Sequence, residues 1–281
     1  MSGTSGRFRR ALRLTVGVAA VAGVVASGMV SLARTASHQD RPNRTAPGAP
    51  VLVELFTSEG CSSCPPADAL LRRLDVDPPV PGAQVIVLSE HVDYWDRLGW
   101  RDPFSSRAFT DRQEAYRQAL GEPASYTPQM VVDGRAAFVG SLESDARRAI
   151  AQAVASPKAE MHIHQTGVMA SDAVALQIRI TNLPRLGHGE RAEVWLAVTE
   201  TGLATNVLRG ENARRRLRHA AVARRLERLE TLPVVMPTSY ETDIAVSLDP
   251  SWNRDQLRVV GFIQEATSKR VLGAVQVSLV P

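Results

Sequence analysis

The chain has 281 residues, of which 44% are hydrophobic and 22% are charged, and its formal net charge is +4 at pH 7. This composition is typical of a globular protein, and the length allows one large domain or two small ones. Four arginines and no acid lie within residues 1–33, so the rest of the chain has no net charge. The charge of the folded part therefore argues against a general affinity for nucleic acids.

The N-terminal region has the layout of an export signal. Arginines between residues 7 and 13 precede an uncharged stretch, 14–33, that is about long enough to cross a membrane. We predict a cleaved signal over 1–33, with a retained membrane anchor through 14–33 as the alternative. Either form places the remaining chain outside the cytoplasm, in the periplasm or secreted. Residues 34–50 are polar and contain three prolines, which predicts a disordered linker.

Residues 51–156 show the alternating pattern of an α/β domain. In chain order, the sequence predicts a strand at 51–57, a helix at 62–74, a strand at 85–88, a helix at 109–120, strands at 127–134 and 136–139, and a helix at 143–154. This order of elements matches the core of thioredoxin, so we expect a thioredoxin-like domain here.

Both cysteines of the chain lie in one motif, Cys61-Ser62-Ser63-Cys64, between the first predicted strand and helix. The pair is therefore a dithiol, a disulfide or a metal site. Free N–H groups and the dipole at a helix N-terminus favour the thiolate form of Cys61, and Cys64 would resolve a mixed disulfide. The alternative is a structural disulfide, but closing four residues restricts the unfolded chain by only about 2 kcal/mol. A redox-active or metal-handling pair is favoured.

A polar and aromatic segment follows the second predicted strand and contains His91, Asp93, Tyr94 and Trp95. Such a mixture is unusual in a plain connection, and loops often carry function. We predict that these residues form a wall of the substrate site near Cys61. His91 could also supply a third ligand if the cysteines bind a soft metal. The alternative is an aromatic plug that packs against the next helix.

Residues 157–281 are predicted to form a smaller β-rich domain, joined to the first at Ser156-Pro157-Lys158. Six segments alternate apolar and polar residues, which predicts a sandwich-like arrangement of strands at 159–165, 173–181, 192–199, 239–248, 257–264 and 271–279. The interval 209–230 carries eight arginines, and propensity favours a basic helix at 213–229. Its charge suits an acidic partner or lipid headgroups, or only a solvated face.

Three stretches carry a family likeness: VLVELFTSEGCSSCPPAD at 51–68, HVDYWD at 91–96 and YTPQMVV at 126–132. Together they resemble an exported bacterial thioredoxin-like family of unknown function, and the likeness covers nearly all of 51–281. The resemblance implies a thioredoxin-like domain followed by a smaller β-rich domain, and it brings no proven reaction. In that family the corresponding segment resembles a hairpin more than a helix. A helix and a hairpin are therefore both possible for residues 209–230.

The thioredoxin-like fold implies roles for three further residues. By strand position, Glu54 resembles the buried carboxylate that moves the proton of the resolving cysteine in thioredoxins. Its alternative is a solvent-facing position at a sheet edge. Thr127-Pro128 resembles the segment with a cis-proline that lies opposite the dithiol and aligns an extended substrate.

These residues together predict a thiol-disulfide oxidoreductase outside the cytoplasm. Cys61 attacks, Cys64 resolves, Glu54 moves protons, and Thr127-Pro128 aligns the substrate. The expected partners are exported protein thiols or disulfides, or an external redox protein, because the chain has no second cysteine pair to receive electrons. Two alternatives on the same fold are a Cu(I) carrier and a binding module with an inert disulfide. We predict no cofactor, no resident metal and no nucleic-acid partner.

Overall fold

The computed structural model describes residues 48–170, 172–232 and 239–279. The predicted export signal and nearly all of the predicted linker lie outside the described residues. No helix in the described ranges is long and apolar enough to cross a membrane.

The part of the chain that the structure describes alternates strands and helices in its first half and consists mainly of strands in its second half. The first half contains β1 (Ala49–Thr57), α1 (Pro65–Val76), β2 (Ala83–His91), α2 (Arg107–Leu120), β3 (Gln129–Val132), β4 (Ala136–Val139) and α3 (Glu143–Val154). The second half contains β5 (Glu160–Ala170), β6 (Ala173–Thr181), β7 (Ala192–Glu200), β8 (Ala204–Asn206), β9 (Arg216–Arg218), β10 (Val222–Thr231), β11 (Ser239–Ser247), β12 (Leu257–Glu265) and β13 (Val271–Ser278). The order predicted for residues 51–156 is confirmed.

β1 is the central strand of the first half, and its two faces differ. It runs parallel to β2 and antiparallel to β3. Val51, Val53 and Leu55 pack against α1 and α3 in one buried cluster. Successive side chains of a strand point to opposite faces, so Leu52 packs on the other side, with Phe262 of β12.

One large mixed sheet joins both halves of the chain. Its strand order is β13-β12-β7-β10-β2-β1-β3-β4. The connection is made where β10 pairs parallel with β2 at Val222 and Ser89, supported by the N–H of Ser89 donating to the carbonyl oxygen of Ala221 at 2.9 Å. The two predicted domains therefore share a sheet, and the fold is a mixed α/β structure dominated by that sheet.

A second sheet, of order β11-β6-β5, covers part of the large one. Ile163 and Ile178 from this sheet pack against Val194 and Leu196 of β7 in an apolar core. The prediction of a β-rich second half is confirmed.

The arginine-rich interval forms strands, so the helix at 213–229 that propensity favours is not present. Arg216–Arg218 pairs with Ala204–Asn206 as a hairpin, and β10 follows at Val222–Thr231. Burial explains the outcome, because Leu217 and Val222 enter the core and pairing with the large sheet outweighs a weak local preference. The hairpin alternative is the correct one.

Candidate functional site

Cys61 and Cys64 form a disulfide, with their Cα atoms 5.4 Å apart. Cys64 is the N-cap of α1, and the helix opens with two prolines, which its first turn tolerates because N–H groups there have no helical partner. Cys61 lies in the turn just before the helix. Both cysteines are fully buried, whereas the two serines between them are exposed. Of the three states that the sequence left open, the structure has the disulfide.

A segment of the second half packs against the backbone around Cys61. We call residues 204–218, which contain β8 and β9, the covering hairpin. The Nδ2 atom of the fully buried Asn212 donates to the carbonyl oxygens of Glu59 and Cys61, each at 2.9 Å. The backbone N–H of Ser62 donates to Oε2 of Glu211 at 3.1 Å. Neither Asn212 nor Glu211 was predicted from the sequence to belong to the site.

Trp95 and Thr127 lie together beside the motif. Nε1 of Trp95 donates to Oγ1 of Thr127 at 2.8 Å. Trp95 also approaches the residue before Cys61, since a Cβ added at Gly60 would lie 3.2 Å from the Cβ of Trp95. The Thr127-Pro128 peptide bond is cis, as predicted. Trp95 therefore lies beside the motif, and its role as a wall of a substrate site stays a prediction.

Pro128 approaches the first turn of α1, and a glycine makes this approach possible. A Cβ at Gly140 would lie 3.4 Å from the Cβ of Pro128 and 3.2 Å from that of Ala67. It would also lie only 2.7 Å from Cδ1 of Leu55, so that side chain would have to shift. Pro128 therefore lies close to the residue three positions after Cys64.

Two other predicted wall residues, Asp93 and Tyr94, are bound to α2, and Tyr94 also interacts with Thr127. Asp93 accepts a hydrogen bond from Oγ1 of Thr110 at 2.6 Å, and the hydroxyl of Tyr94 donates to Gln113 at 3.2 Å. Both contacts fix the segment to α2. His91 is fully buried behind the motif.

Glu54 is fully buried, so the solvent-facing alternative is wrong. Its neighbours Val53 and Leu55 pack toward α1, which places Glu54 on the opposite face of the sheet. There its carboxylate accepts from Nε of Arg112 at 2.6 Å and from the hydroxyl of Tyr116. A proton-carrying role for Glu54 stays a prediction.

Glu54 belongs to a group that we call the Arg112 cluster: Glu54, Glu90, Arg112, Tyr116 and Gln264. The Glu90 carboxyl lies 3.6 Å from Nε of Arg112. Burial, reinforced by the charge of Glu54, raises the pKa of Glu90 well above its ordinary value. The guanidinium is therefore the permanent charge around which two buried acids are arranged.

A second buried group, missed from the sequence, lies behind the disulfide. We call it the imidazole cluster: Glu59, Asp68, His91, Asp102 and His219. Nδ1 of His91 lies 2.7 Å from Oδ2 of Asp102, and Nε2 of His219 lies 3.0 Å from Oε1 of Glu59. The two imidazole rings meet edge to face, with their centroids 4.8 Å apart. His219 comes from the end of the covering hairpin, so both halves of the chain build this cluster.

Asp68 connects the imidazole cluster to the motif. It lies one helical turn after Cys64, its N–H bonds the Cys64 carbonyl oxygen at 3.1 Å, and its side chain is buried. Residues four apart share one face of a helix, so the two side chains are neighbours. Burial raises the pKa of Asp68, although His219, His91 and a hydrogen bond from Thr57 act to lower it. A carboxyl group with raised pKa thus adjoins Cys64.

In this cluster the pKa of His91 is raised, and two ring nitrogen atoms have no hydrogen-bond partner among the described residues. Burial alone would lower the pKa of His91, but the charge and hydrogen bond of Asp102, with Asp68 and Glu59, outweigh burial and raise it. Burial would raise the pKa of Asp102, and His91 together with two backbone N–H groups lowers it instead. Within the described ranges, Nε2 of His91 and Nδ1 of His219 have no hydrogen-bond partner. Each is a free position for a proton or a water molecule.

A metal site with His91 as third ligand is not seen. Across residues 48–170, 172–232 and 239–279, no group of three or more His, Cys, Asp and Glu side chains is arranged to hold a metal ion. Nδ1 of His91 is directed at Asp102.

Fold and site together define a mixed α/β protein with a covered CxxC disulfide next to buried acids and imidazoles. Residues 52–264 match the model of a family described as "Protein of unknown function (DUF1223)". The chain belongs to this family. No curated protein sequence matches it.

Two solved structures are similar over most of the chain. One is an X-ray crystal structure of a protein from Agrobacterium tumefaciens, with 24% identity, a TM-score of 0.60, and coverage of 82% of this chain and 94% of that one. The other is HBP35 of Porphyromonas gingivalis, with 16% identity, a TM-score of 0.62, and coverage of 83% and 76%. At these identities the likeness extends to the fold alone.

Proposed function

We propose that the chain is a thioredoxin-like thiol-disulfide oxidoreductase that exchanges electrons with protein thiols outside the cytoplasm. The observation that carries the proposal is the disulfide between Cys61 and Cys64 where β1 passes into α1, with Thr127 and Trp95 beside it. A loop of four residues contributes only about 2 kcal/mol as a cross-link. This small value favours a chemical use of the pair over a structural one.

The order and pairing of elements support the thioredoxin-like assignment for residues 51–156. β1 and β2 are parallel, β3 and β4 are antiparallel to their neighbours, and α1 follows the motif directly. The basic and apolar N-terminal residues support export. A disulfide also persists best in an oxidising compartment.

The proposed oxidation of a substrate dithiol begins at Cys61. A substrate thiolate attacks Sγ of Cys61, the S–S bond breaks, and its electron pair leaves with Cys64 as a thiolate. Asp68 then gives a proton to Cys64. The second substrate thiolate attacks the mixed disulfide and releases Cys61 as a thiolate, so the substrate loses two electrons and the protein gains them. Reduction of a substrate disulfide uses the same atoms in reverse.

Asp68 suits the proton-transfer step better than Glu54 does. The Glu54 carboxylate is bound by Arg112 and Tyr116 on the sheet face away from α1. Asp68 neighbours Cys64 on the same helical face, and its raised pKa keeps a proton available nearer to neutrality. His91, whose pKa is raised, then offers an onward position for the proton.

A second candidate is a binding module with an inert disulfide. The observation that favours it is the complete burial of both cysteines, since an attacking thiolate has to reach Sγ of Cys61. Oxidoreductase function therefore requires the covering hairpin to open.

The reduction potential of the Cys61–Cys64 pair separates the two candidates. We expect a value between about −120 and −270 mV, the range of working thiol-disulfide enzymes, on equilibration of the purified chain with glutathione buffers. A value below about −300 mV would mark a resistant disulfide and favour the binding module. For an oxidoreductase, Cys61→Ser abolishes exchange and Cys64→Ser accumulates mixed disulfides with partners. The absence of any such adduct in cells would contradict the proposal.

A further inference from the structure

A cleft of about 250 Å³ opens beside the disulfide, between α1 and β9. Its lining residues come from the first turns of the helix and from the covering hairpin: Pro65, Asp68, Arg72, Arg215, Arg216, Leu217 and Arg218. We call it the arginine cleft. It begins at the residue that follows Cys64, so a molecule bound in it lies next to the motif.

The positive charge of the arginine cleft is unbalanced. Arg72 donates to the carbonyl oxygen of Arg218 at 2.5 Å, and Arg215 donates to Oδ1 of Asn212 at 2.8 Å. Among the described residues, none of the four arginines lining the cleft forms an ion pair with a carboxylate. The one acid in the lining, Asp68, is buried and has a raised pKa, so it is a weak counter-charge.

Some exposed arginines elsewhere in the first half are ion-paired. Arg73, Arg107 and Arg148 each lie 2.7–2.9 Å from a carboxylate. Arg73 follows Arg72 directly on α1. Arg73 is ion-paired and lies outside the cleft, whereas Arg72 has no ion pair with any described residue and lines it. The arginine cleft is distinguished by four arginines that line one surface beside the motif without an ion pair in the described part of the chain.

The covering hairpin links the arginine cleft to the disulfide. Arg215 contacts Asn212, and Asn212 bonds the carbonyl oxygen of Cys61. Two further exposed arginines, Arg209 and Arg214, lie in the same hairpin. Glu211 of the same hairpin places one carboxylate at Ser62, and the arginines outnumber it on this side of the motif.

We propose that the arginine cleft binds carboxylates of the partner whose thiol or disulfide reacts at Cys61. This inference rests on the proposed oxidoreductase function and names its partner class, a sulfur flanked by carboxylates. The guanidinium fork matches a carboxylate with two parallel hydrogen bonds. A positive surface also raises the encounter rate of anions, by about 10-fold or more at low salt. The same chemistry occurs in a small anionic thiol and in an acidic polypeptide segment.

Exchange kinetics with three small disulfides test the inference. The probes are dithiodipropionate, which is anionic, hydroxyethyl disulfide, which is neutral, and cystamine, which is cationic. Each rate for the reduced full chain is divided by the rate for a free small thiol, which removes intrinsic reactivity. We expect a normalised rate about 10-fold higher for the anion than for the cation at low salt, falling at high salt. Equal normalised rates, or a preference for cystamine, would overturn the inference.

Failure of the proposed function has a different signature. If that function is wrong, the neutral disulfide also fails to react within minutes, and the inference is lost with it. If only the charge preference is wrong, all three probes react at similar normalised rates.

A pair of double variants assigns the preference to the cleft. Arg216→Gln with Arg218→Gln is expected to lower the normalised rate of the anionic probe about 10-fold and to leave the neutral probe unchanged. Arg135→Gln with Arg179→Gln removes the same charge from exposed positions outside the cleft and is expected to have little effect. Equal losses in both double variants would show that net charge, and not the cleft, sets the rate. Thermal unfolding checks that each variant is folded.

Peptide disulfides distinguish the two sources of anion. Cysteine peptides flanked by glutamate are compared with the same peptides flanked by lysine. A larger charge preference for peptides than for the small probes supports an acidic polypeptide partner, and an equal preference supports a small anionic thiol. No preference in either set overturns the inference.

Discussion

Two buried polar clusters flank the first strand, and they differ in the kind of charge that holds them together. In the Arg112 cluster the guanidinium binds Glu54 and lies 5.0–5.1 Å from the centroids of the Tyr116, Trp195 and Phe262 rings. In the imidazole cluster the paired groups are imidazoles and carboxylates, and two ring nitrogens keep no partner in the described part of the chain.

This difference separates a structural role from a chemical one. Arginine stays protonated at all relevant pH values, so its ion pair with Glu54 holds α2 on the sheet but moves no proton. Imidazoles titrate near neutrality. A carboxyl group with a raised pKa titrates at a higher pH than an ordinary carboxyl group. We therefore expect the proposed proton transfer to Cys64 to come from the imidazole cluster, which contains Asp68.

The largest effect is expected from Arg112→Met. The variant leaves Glu54 and Glu90 buried without a cation, and removal of one partner from a buried ion pair typically costs about 3–5 kcal/mol. Urea unfolding of the oxidised protein measures this loss. Arg107→Met on the same helix is the control, because its pair with Asp111 is exposed and contributes little. If Arg112→Met lowers the free energy of unfolding no more than Arg107→Met does, Glu54 and Glu90 are already neutral in the folded protein.

The next largest effect is expected from Asp68→Asn on the rate of disulfide exchange. Without an acid beside Cys64, the departing thiolate receives no proton within the protein, and general acid catalysis is typically worth about 100-fold or more. Stopped-flow reduction by dithiothreitol across a pH series measures both the rate and its pH profile. Asp77→Asn, at the exposed C-terminal end of the same helix, is the matched control. An unchanged rate with an unchanged pH profile would rule out the proton-transfer role.

A smaller effect is expected from Asn212→Ala. This change removes two hydrogen bonds to the backbone around Cys61 and weakens the hold of the covering hairpin. Lost hydrogen bonds to buried groups are worth about 1–3 kcal/mol, so we expect roughly 10-fold faster reduction of the disulfide. The exposed Asn206→Ala, in the same hairpin, should change the rate little. Slower reduction in Asn212→Ala would indicate that the hairpin assists exchange and does not obstruct it.

The smallest effect concerns stability as a function of pH. Because burial raises the folded-state pKa of Asp68, folding favours its protonated form. The wild type therefore loses stability as the pH rises from the ordinary value of 3.8 through the folded-state pKa. Asp68→Asn does not titrate, so its free energy of unfolding should improve relative to the wild type over that range. Curves that stay parallel would show that the folded-state pKa of Asp68 is not raised.

The first half of the chain was predictable because its signals are local. The motif with Cys61 and Cys64 and the order of elements could be inferred from neighbouring residues alone. The face occupied by Glu54 was also open to inference, since Val53 and Leu55 on either side have to face a helix. The alternation of side chains along a strand places Glu54 on the face of the sheet away from α1.

The covering hairpin and the imidazole cluster could not be predicted in the same way. Asn212 bonds a residue 151 positions earlier, and His219 bonds one that is 160 positions earlier. Neither contact leaves a local pattern. β10 was also not predicted, because its arginine-rich residues favour a helix locally. Pairing with β2 and β7 makes this segment a strand.

The long separation between Asn212 and Cys61 has a consequence for synthesis. The cysteines leave the ribosome about 150 residues before the segment that covers them. At about 5–20 residues per second, the motif remains uncovered for roughly 8–30 s in each new chain. During that interval the segment that contains Asn212 cannot yet pack against the motif, and in the complete chain it does.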